Sequence, residues 1–448
     1  MRVGGEAADG VYEGTEPLMT KTNSESLAGT ERLMEDVLER ENLKDALKRV
    51  IKNGGAPGID GMTVEELPEH LKANWQTIRK QLLEGNYKPK PVRRVEIPKP
   101  GSDKKRKLGI PSCVDRFVQQ ALQQILQKQW DRTFSSHSYG FRPRKSAHQA
   151  VAQAQEYIEQ GYRYVVDFDL ASFFDRINHD VLMGLVTKRV KDRRVIKLIR
   201  AFLDAGVMEN GLVKPTEEGA PQGGPLSPIL SNLMLHELDR ELETREHKFV
   251  RYADDSNVYV RSKRAGERVM VSVTKFLEKR LRLQVNKEKS AVARPWERKF
   301  LGFSFTNHKV PKRRIAPQAM ARVKQRIRGI TCRKRGHTLD QIIKELKIYL
   351  NGWLGYFGFC QTPSVLADLE KWIRRKLRCL IWKRWKTGGT RYTKLRQFGL
   401  TQTQAAEGAG DGKHGPWHMS RTPPINQALS VRYFESLGLP RLRCRSPA

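Results

Sequence analysis

From Tyr162 to Leu170 the chain reads Tyr-Arg-Tyr-Val-Val-Asp-Phe-Asp-Leu, and this stretch limits the possible folds more than any other. Side chains alternate faces along a strand, so Val166, Phe168 and Leu170 share one side while Val165, Asp167 and Asp169 share the other. A strand that ends in a carboxylate and runs into Ser172-Phe173-Phe174-Asp175 is a candidate cation-binding edge. A second acidic pair lies well downstream, in Tyr252-Ala253-Asp254-Asp255. Phe249 to Tyr252 and Asn257 to Val260 both read as short strands, which puts the residues between them at the tip of a hairpin. Two adjacent carboxylates repel each other unless a divalent cation sits between them and a third carboxylate, as a two-metal phosphoryl-transfer site requires. Taken alone, an Asp-Asp turn is ordinary, because aspartate caps turns with its own side chain.

The rest of the chain bears on the choice. A formal net charge of +34 exceeds what solubility requires and implies a polyanionic partner, with nucleic acid the default and a membrane surface the competitor. Against the membrane, no stretch approaches the roughly 18 consecutive apolar residues of a spanning helix, and no basic start followed by an apolar run marks a signal peptide. A cytoplasmic protein is expected. Cys113, Cys332, Cys360, Cys379 and Cys444 are scattered without a Cys-x-x-Cys pair and read as reduced thiols, with no zinc module and no disulfide framework.

Residues 1–30 are rich in Gly, Glu, Ser and Thr and read as a disordered leader. Leu33, Met34, Val37, Leu38, Leu43, Leu47 and Ile51 then recur at helical spacing up to Asn53-Gly54-Gly55. The glycine-rich loop from Gly54 to Gly61 is either a cluster of turns or a place of close approach to a polynucleotide. Val92 to Ile97 and Lys107 to Ile110 read as extended segments joined by a basic loop, in which Lys99 offers a point charge and Arg106 a fork for phosphate oxygens. Val114 to Trp130 is an amphipathic helix, and Tyr139-Gly140-Phe141-Arg142-Pro143 reads as a rigid turn that presents Arg142. Further helices are expected over 191–205, 229–245 and 264–281, with short strands at 283–285 and 300–303. Strands interleaved with helices, and with hairpins among them, point to an α+β fold rather than a parallel doubly wound sheet.

The order of motifs resembles a reverse transcriptase, and within that group the group II intron-encoded reverse transcriptase/maturases of bacteria. Gly-Ala-Pro-Gly-Ile-Asp-Gly at 55–61, Tyr-Gly-Phe-Arg-Pro at 139–143, Asp-Leu-Ala-Ser-Phe-Phe-Asp at 169–175, Pro-Gln-Gly-Gly-Pro-Leu-Ser-Pro at 221–228, Tyr-Ala-Asp-Asp at 252–255 and Phe-Leu-Gly-Phe at 300–303 follow one another in that family's order. The resemblance spans roughly 31–440 and implies a right-hand polymerase fold: fingers and palm over 31–305, a helical thumb/maturase domain over 306–388 and a small C-terminal DNA-binding domain over 389–448. It implies that Asp169 and Asp254, with Asp255 beside them and the Leu170 carbonyl as a further oxygen, hold two Mg2+ ions, and that Asp167 plays a supporting part. It places Phe174 where a bulky ring blocks a ribose 2′-hydroxyl, so that dNTPs are admitted and the product is DNA. Lys99 and Arg106 match residues that grip the triphosphate, Gln222 fits the loop supporting the incoming nucleotide or template, and Lys287 or Lys289 is expected near the phosphates.

Three helices are expected at 316–335, 339–359 and 365–385, with an apolar seam from Ile342, Leu346, Leu350, Leu366, Leu369, Ile373 and Leu377. Arg374, Arg375 and Arg378 belong to a basic outer face suited to tracking phosphates. The resemblance makes the partners intron RNA, an RNA template/DNA primer duplex and target DNA, with no membrane, and leaves the oligomeric state open. No paired cysteines or His-Asn-His signature precede Ala448, so the compact class without an endonuclease is expected. Two other readings keep the same motifs: a maturase that only binds RNA, and a reverse transcriptase domesticated for defence or repair.

Overall fold

Helix α1 (Leu33–Val37) and helix α2 (Arg40–Asn53) replace the single N-terminal helix expected from periodicity. The break has a local cause: the Glu39 carboxylate accepts hydrogen bonds from the amides of Glu41 and Asn42 at 3.4 and 3.3 Å, which caps a new helix start. The computed structural model describes residues 31–98, 105–209, 212–214, 218–220, 223–410 and 414–444, so the expected leader at 1–30, Lys99 and Gln222 lie outside the described residues. Helix α3 (Leu67–Leu83) is followed by the hairpin β1 (Val92–Pro98) and β2 (Lys105–Ile110), paired antiparallel from Arg93↔Ile110 to Pro98↔Lys105. Ser112 then caps helix α4 (Cys113–Trp130) by accepting from the Asp115 amide. The glycine-rich loop at 54–61 is tied to that helix, because Arg116 donates to the carbonyls of Gly54 and Ala56 at 3.1 and 3.0 Å.

Helix α5 (Ala147–Glu159) starts in a reciprocal capping box between Ser146 and Gln149. Strand β3 (Tyr164–Phe168) follows, then a tight helical turn at Phe173–Arg176, helix α6 (His179–Thr187) and helix α7 (Arg193–Asp204). Strands β4 (Val207–Glu209) and β5 (Leu212–Lys214) complete a sheet of order β2-β1-β4-β5. Next come helix α8 (Ser227–Thr244), the hairpin β6 (Lys248–Tyr252) and β7 (Asp255–Val260), helix α9 (Lys263–Arg280) and strand β8 (Ala291–Ala293). These build the central sheet, β6-β7-β3-β8, antiparallel throughout. Strand β3 feeds two cores: Val166 and Phe168 pack with α4, α8 and α9, while Val165 packs on the other face with α5 and the C-terminal helices. The chain is α+β, as expected.

Two sequence expectations change here. The strand expected at 283–285 contributes one isolated bridge, Val285 to Leu170, while β8 is the strand that flanks β3. The stretch 300–303 is a tight turn, with Leu301 and Gly302 both at positive φ, leading into β9 (Phe303–Phe305) and β10 (Arg313–Ile315). Helices α10 (Pro317–Ile330), α11 (Leu339–Phe357) and α12 (Pro363–Arg384) join through Val323, Ile327, Leu346, Leu350, Leu369 and Ile373, so the apolar seam forms. Among the described residues five shorter helices follow: α13 (Gly388–Gln397), α14 (Gln402–Gly410), α15 (Pro416–Met419), α16 (Pro423–Ala428) and α17 (Val431–Ser436). Leu395, Ile425 and Phe434 anchor them to the same core.

Candidate active site

The register of β3 against β7 carries the site. Asp167 pairs with Asn257 and Phe168 with Ser256, so one further step along β3 sets Asp169 opposite Asp255. The β6–β7 hairpin closes at Tyr252↔Asp255, so its loop is Ala253 and Asp254 alone and Asp255 opens strand β7, two residues tighter than the sequence suggested. Asp254 thus sits at the tip and Asp255 at its base, and both come to the end of β3. Beyond Asp169, the bridge to Val285 uses the Asp169 carbonyl and the Ala171 amide, with Asn286 N to Asp169 O at 2.7 Å and Ala171 N to Gln284 O at 2.8 Å. The carbonyl of Leu170 is therefore turned to the opposite edge, the side of the Asp254 turn.

Electrostatics confirm the crowding. The Asp255 carboxyl is held up to about 6, by partial desolvation in the cleft and by the charges of Asp254, Asp167 and Asp169. Its side chain still meets solvent, so the neighbouring carboxylates are the part that matters. Asp167 is also raised by burial, against the pull of Arg298, which grips it through Nε and Nη2 at 2.9 and 2.6 Å. Both lysines are exposed, and it is Lys289 whose Nζ lies 3.4 Å from Asp169 Oδ2, so of the two singled out Lys289 reaches the acidic cluster. Among the described residues no three such side chains already stand in metal-holding geometry. The donor set nevertheless suits a hard divalent cation, since it is all oxygen and carries mutually repelling charge.

The hairpin is clamped from behind. Ala253 has φ 56°, a left-handed conformation uncommon for a residue with a side chain. Arg251, fully buried, donates through Nη1 to the Ala253 carbonyl at 3.0 Å and to Asn232 Oδ1 at 3.1 Å, while Nε and Nη2 grip Asp239 at 2.7 and 2.6 Å. Asn232 donates to the Gly140 carbonyl at 2.9 Å. Gly140 lies so close to the turn that a Cβ would come within 2.2 Å of the Ala253 nitrogen. Sequence reading missed this network. An arginine in the apolar strand Phe249-Val250-Arg251 is the one signal it left, and its partner on α8 is invisible to periodicity.

Around the acidic pair, Phe174 is half-buried, packed edge-on against Phe173 at 5.1 Å, and its carbonyl accepts from the Ala220 amide at 2.7 Å. Asp175 is raised by burial while Arg94 and Lys107 pull it down, so those two cations lie against this part of the site. The β1–β2 register puts Arg94 and Lys107 on one face of the hairpin and Arg106, exposed, on the other. Gly223 of the glycine-proline loop abuts the Gly109 carbonyl of β2, where a Cβ would meet it at 2.9 Å.

Four candidate nucleic-acid-binding arginines turn inward. Arg142 is spent on Asp131, with Nε to Oδ1 at 2.8 Å, and on the carbonyls of Asp131, Ser135 and Ser138. It braces the turn instead of projecting from it, because a buried guanidinium needs carbonyl and carboxylate partners. Arg374 pairs with Glu370, Arg375 stacks on Trp417, and Arg378 donates to the Leu429 carbonyl at 2.9 Å. Arg374, Arg375 and Arg378 face the C-terminal helices, the first two half-buried and Arg378 buried.

Comparison with known proteins now bears on the chain. Residues 97–305 match the model described as reverse transcriptase (RNA-dependent DNA polymerase), and residues 320–399 match the group II intron, maturase-specific domain. The group II intron-encoded protein LtrA of Lactococcus lactis is 38% identical over 192 residues, which covers 43% of this chain and 31% of LtrA. Protein YkfC of Escherichia coli K12 is 33% identical over 324 residues, 63% of this chain and 84% of YkfC. The chain belongs to the group II intron reverse transcriptase/maturase family. It is an RNA-directed DNA polymerase, and the family's polymerase domain depends on a divalent metal. Its partners are nucleic acids. A chain of a Cas6-RT-Cas1–Cas2 complex covers 55% of this chain and 42% of its own length at 22% identity with a TM-score of 0.36, too low to add to the description. Among the described residues no helix is long and apolar enough to cross a membrane.

Proposed function

We propose that the enzyme copies group II intron RNA into cDNA with dNTPs and two Mg2+ ions, and binds intron RNA to assist its splicing and its return to target DNA as a cytoplasmic ribonucleoprotein. The supporting observation is the β3–β7 register that sets Asp169 opposite Asp255 with Asp254 at the turn. Asp169 and Asp254, with the Leu170 carbonyl and Asp255 beside them, would hold the cations. Bound there, the ions would supply activation of the primer 3′-hydroxyl and neutralisation of the pyrophosphate leaving group.

The chain's own residues supply the remainder. Arg251 and Gly140 hold Asp254 in place through the Ala253 turn. Phe174 is the steric gate against a 2′-hydroxyl. Lys99 and Arg106 grip the triphosphate and Gln222 supports the incoming base; Arg94 and Lys107, on the face turned to Asp175, add cations that sequence reading did not choose. The Nε of Arg94 is buried without a hydrogen-bond partner, which suits a group awaiting an anion.

Primer extension on an RNA template with Mg2+ tests the reading. Asp254→Ala should abolish extension and leave RNA affinity nearly unchanged; equal loss of both would make the acidic cluster structural. Sequencing of co-purifying RNA separates a maturase, which retains one structured intron, from a freed polymerase, which carries a random mixture.

A further inference from the structure

Helix α12 carries an unusual stripe. Lys371, Arg374, Arg375 and Arg378 stand at i, i+3, i+4 and i+7, the spacing that normally presents an apolar face to a neighbour, and here every member is cationic. The stripe lines a cleft of about 390 Å³ whose other wall is Ser420, Arg421, Asn426 and Val431, from the segment carrying α15, α16 and α17. The two walls touch through the arginines themselves. Arg375 stacks 3.8 Å from the Trp417 ring centroid and donates to the Trp417 carbonyl at 3.0 Å and to Ser420 Oγ at 3.4 Å. Arg378 is only 8% exposed and reaches the Leu429 carbonyl.

Counter-charge is short. Glu370 pairs with Arg374, and Asp368 lies 3.6 Å from Lys371. Among the described residues no carboxylate pairs with Arg375, Arg378 or Arg421, so five cations share the cleft with the paired acids Asp368 and Glu370 at its rim and Glu435 acting on Arg374 from further off. Burial and Arg374 press Arg378 down to about 10, and burial and Arg421 lower Arg375. Cations desolvated against one another are costly unless an anion lies between them. Guanidinium forks match the oxygens of a phosphoryl group two at a time, and the cleft is roomy enough for a phosphodiester with its sugar.

We infer that this cleft binds a phosphodiester of the polynucleotide, and that the bound phosphate, as counter-ion, tightens the docking of the C-terminal segment 416–436 on α12 that its apolar residues begin. The inference rests on the nucleic-acid reading above and adds that docking and binding are coupled. An inorganic phosphate ion offers the same chemistry and should act weakly in the same sense.

The test is hydrogen exchange of the amides in 416–436 of the full chain, in chloride, in inorganic phosphate at equal ionic strength, and with a short RNA–DNA duplex. The duplex should slow exchange on the order of tenfold, within the range of coupled sites, and phosphate by less. Arg378→Gln should abolish the response. Because that side chain is buried and its loss can disturb folding, exposed Arg421→Gln is the second variant, and it should weaken the response in an intact fold. Equal exchange in all three conditions, protection by phosphate with none by duplex, or undiminished protection in folded Arg421→Gln overturns the inference. Primer extension is read in parallel: intact extension without the exchange response sinks the coupling alone, whereas failed extension strikes the polymerase reading.

Discussion

Phe174 illustrates how far a single residue carries an assignment. Its half-buried ring is fixed against Phe173 and its backbone is tied to Ala220, so the ring cannot swing aside without breaking local packing. Phe174→Ala is expected to raise ribonucleotide incorporation, and an unchanged ratio of NTP to dNTP use in competitive primer extension would remove the gate assignment. Arg251 makes the complementary case of a residue that touches no substrate. Replacing it by Met leaves Asp239 charged in a fully buried site, which costs about 3–5 kcal/mol of stability. Urea unfolding should show that loss, and the double variant Arg251→Met/Asp239→Leu should recover much of it, because the unpaired charge is gone. The shared face of Asp167 and Asp169 was legible in sequence because alternation along a strand assigns a face, and the hairpin tip at Asp254 and Asp255 was legible from the short strands on either side. Where Arg142 and Arg378 point was not legible, because a basic residue looks the same on paper whether it meets solvent or a buried carbonyl.

At the scale of elements, the β6–β7 hairpin is positioned by what lies behind it. Gly140→Ala places a methyl where the Ala253 nitrogen stands, so the turn must move and Asp254 with it. We expect a large fall in kcat with little change in circular dichroism; a variant of normal activity would show that the turn tolerates displacement. Asp192 joins α1 to α7, accepting from the Met34 amide at 3.0 Å and from Arg194 at 2.9 Å. Burial works against its charge, but the hydrogen bonds from Arg194 and the Met34 amide win and its carboxyl titrates below the usual range. A depressed folded value means that the contribution is present above the unfolded carboxylate range and is lost as pH falls through the folded one. Asp192→Asn should therefore lower the urea midpoint at neutral pH, with the gap to the parent closing as the solution is acidified.

Across the whole molecule the net charge of +34 sets the terms of binding. Each phosphate neutralised releases counter-ions, so affinity for an RNA duplex should fall by about 10³ or more between roughly 50 and 200 mM salt if six or more phosphates are engaged. Fluorescence anisotropy across a salt series measures the slope, and a flat response would mean that the charge serves something other than polynucleotide binding. The sequence by itself determined the α+β class, the helices of the C-terminal third and the face that carries Asp167 and Asp169, because local periodicity and charge report which side of an element is wet. It also held the six ordered motifs that point to the family. Only the tertiary structure decided that β3 lies between β7 and β8, that Asp169 falls opposite Asp255, that Arg251 reaches back to Asp239, and that the α12 arginines share a cleft with Arg421. Those are contacts between residues distant in the chain, and no local pattern names a distant partner: register and burial are settled only when the whole core closes.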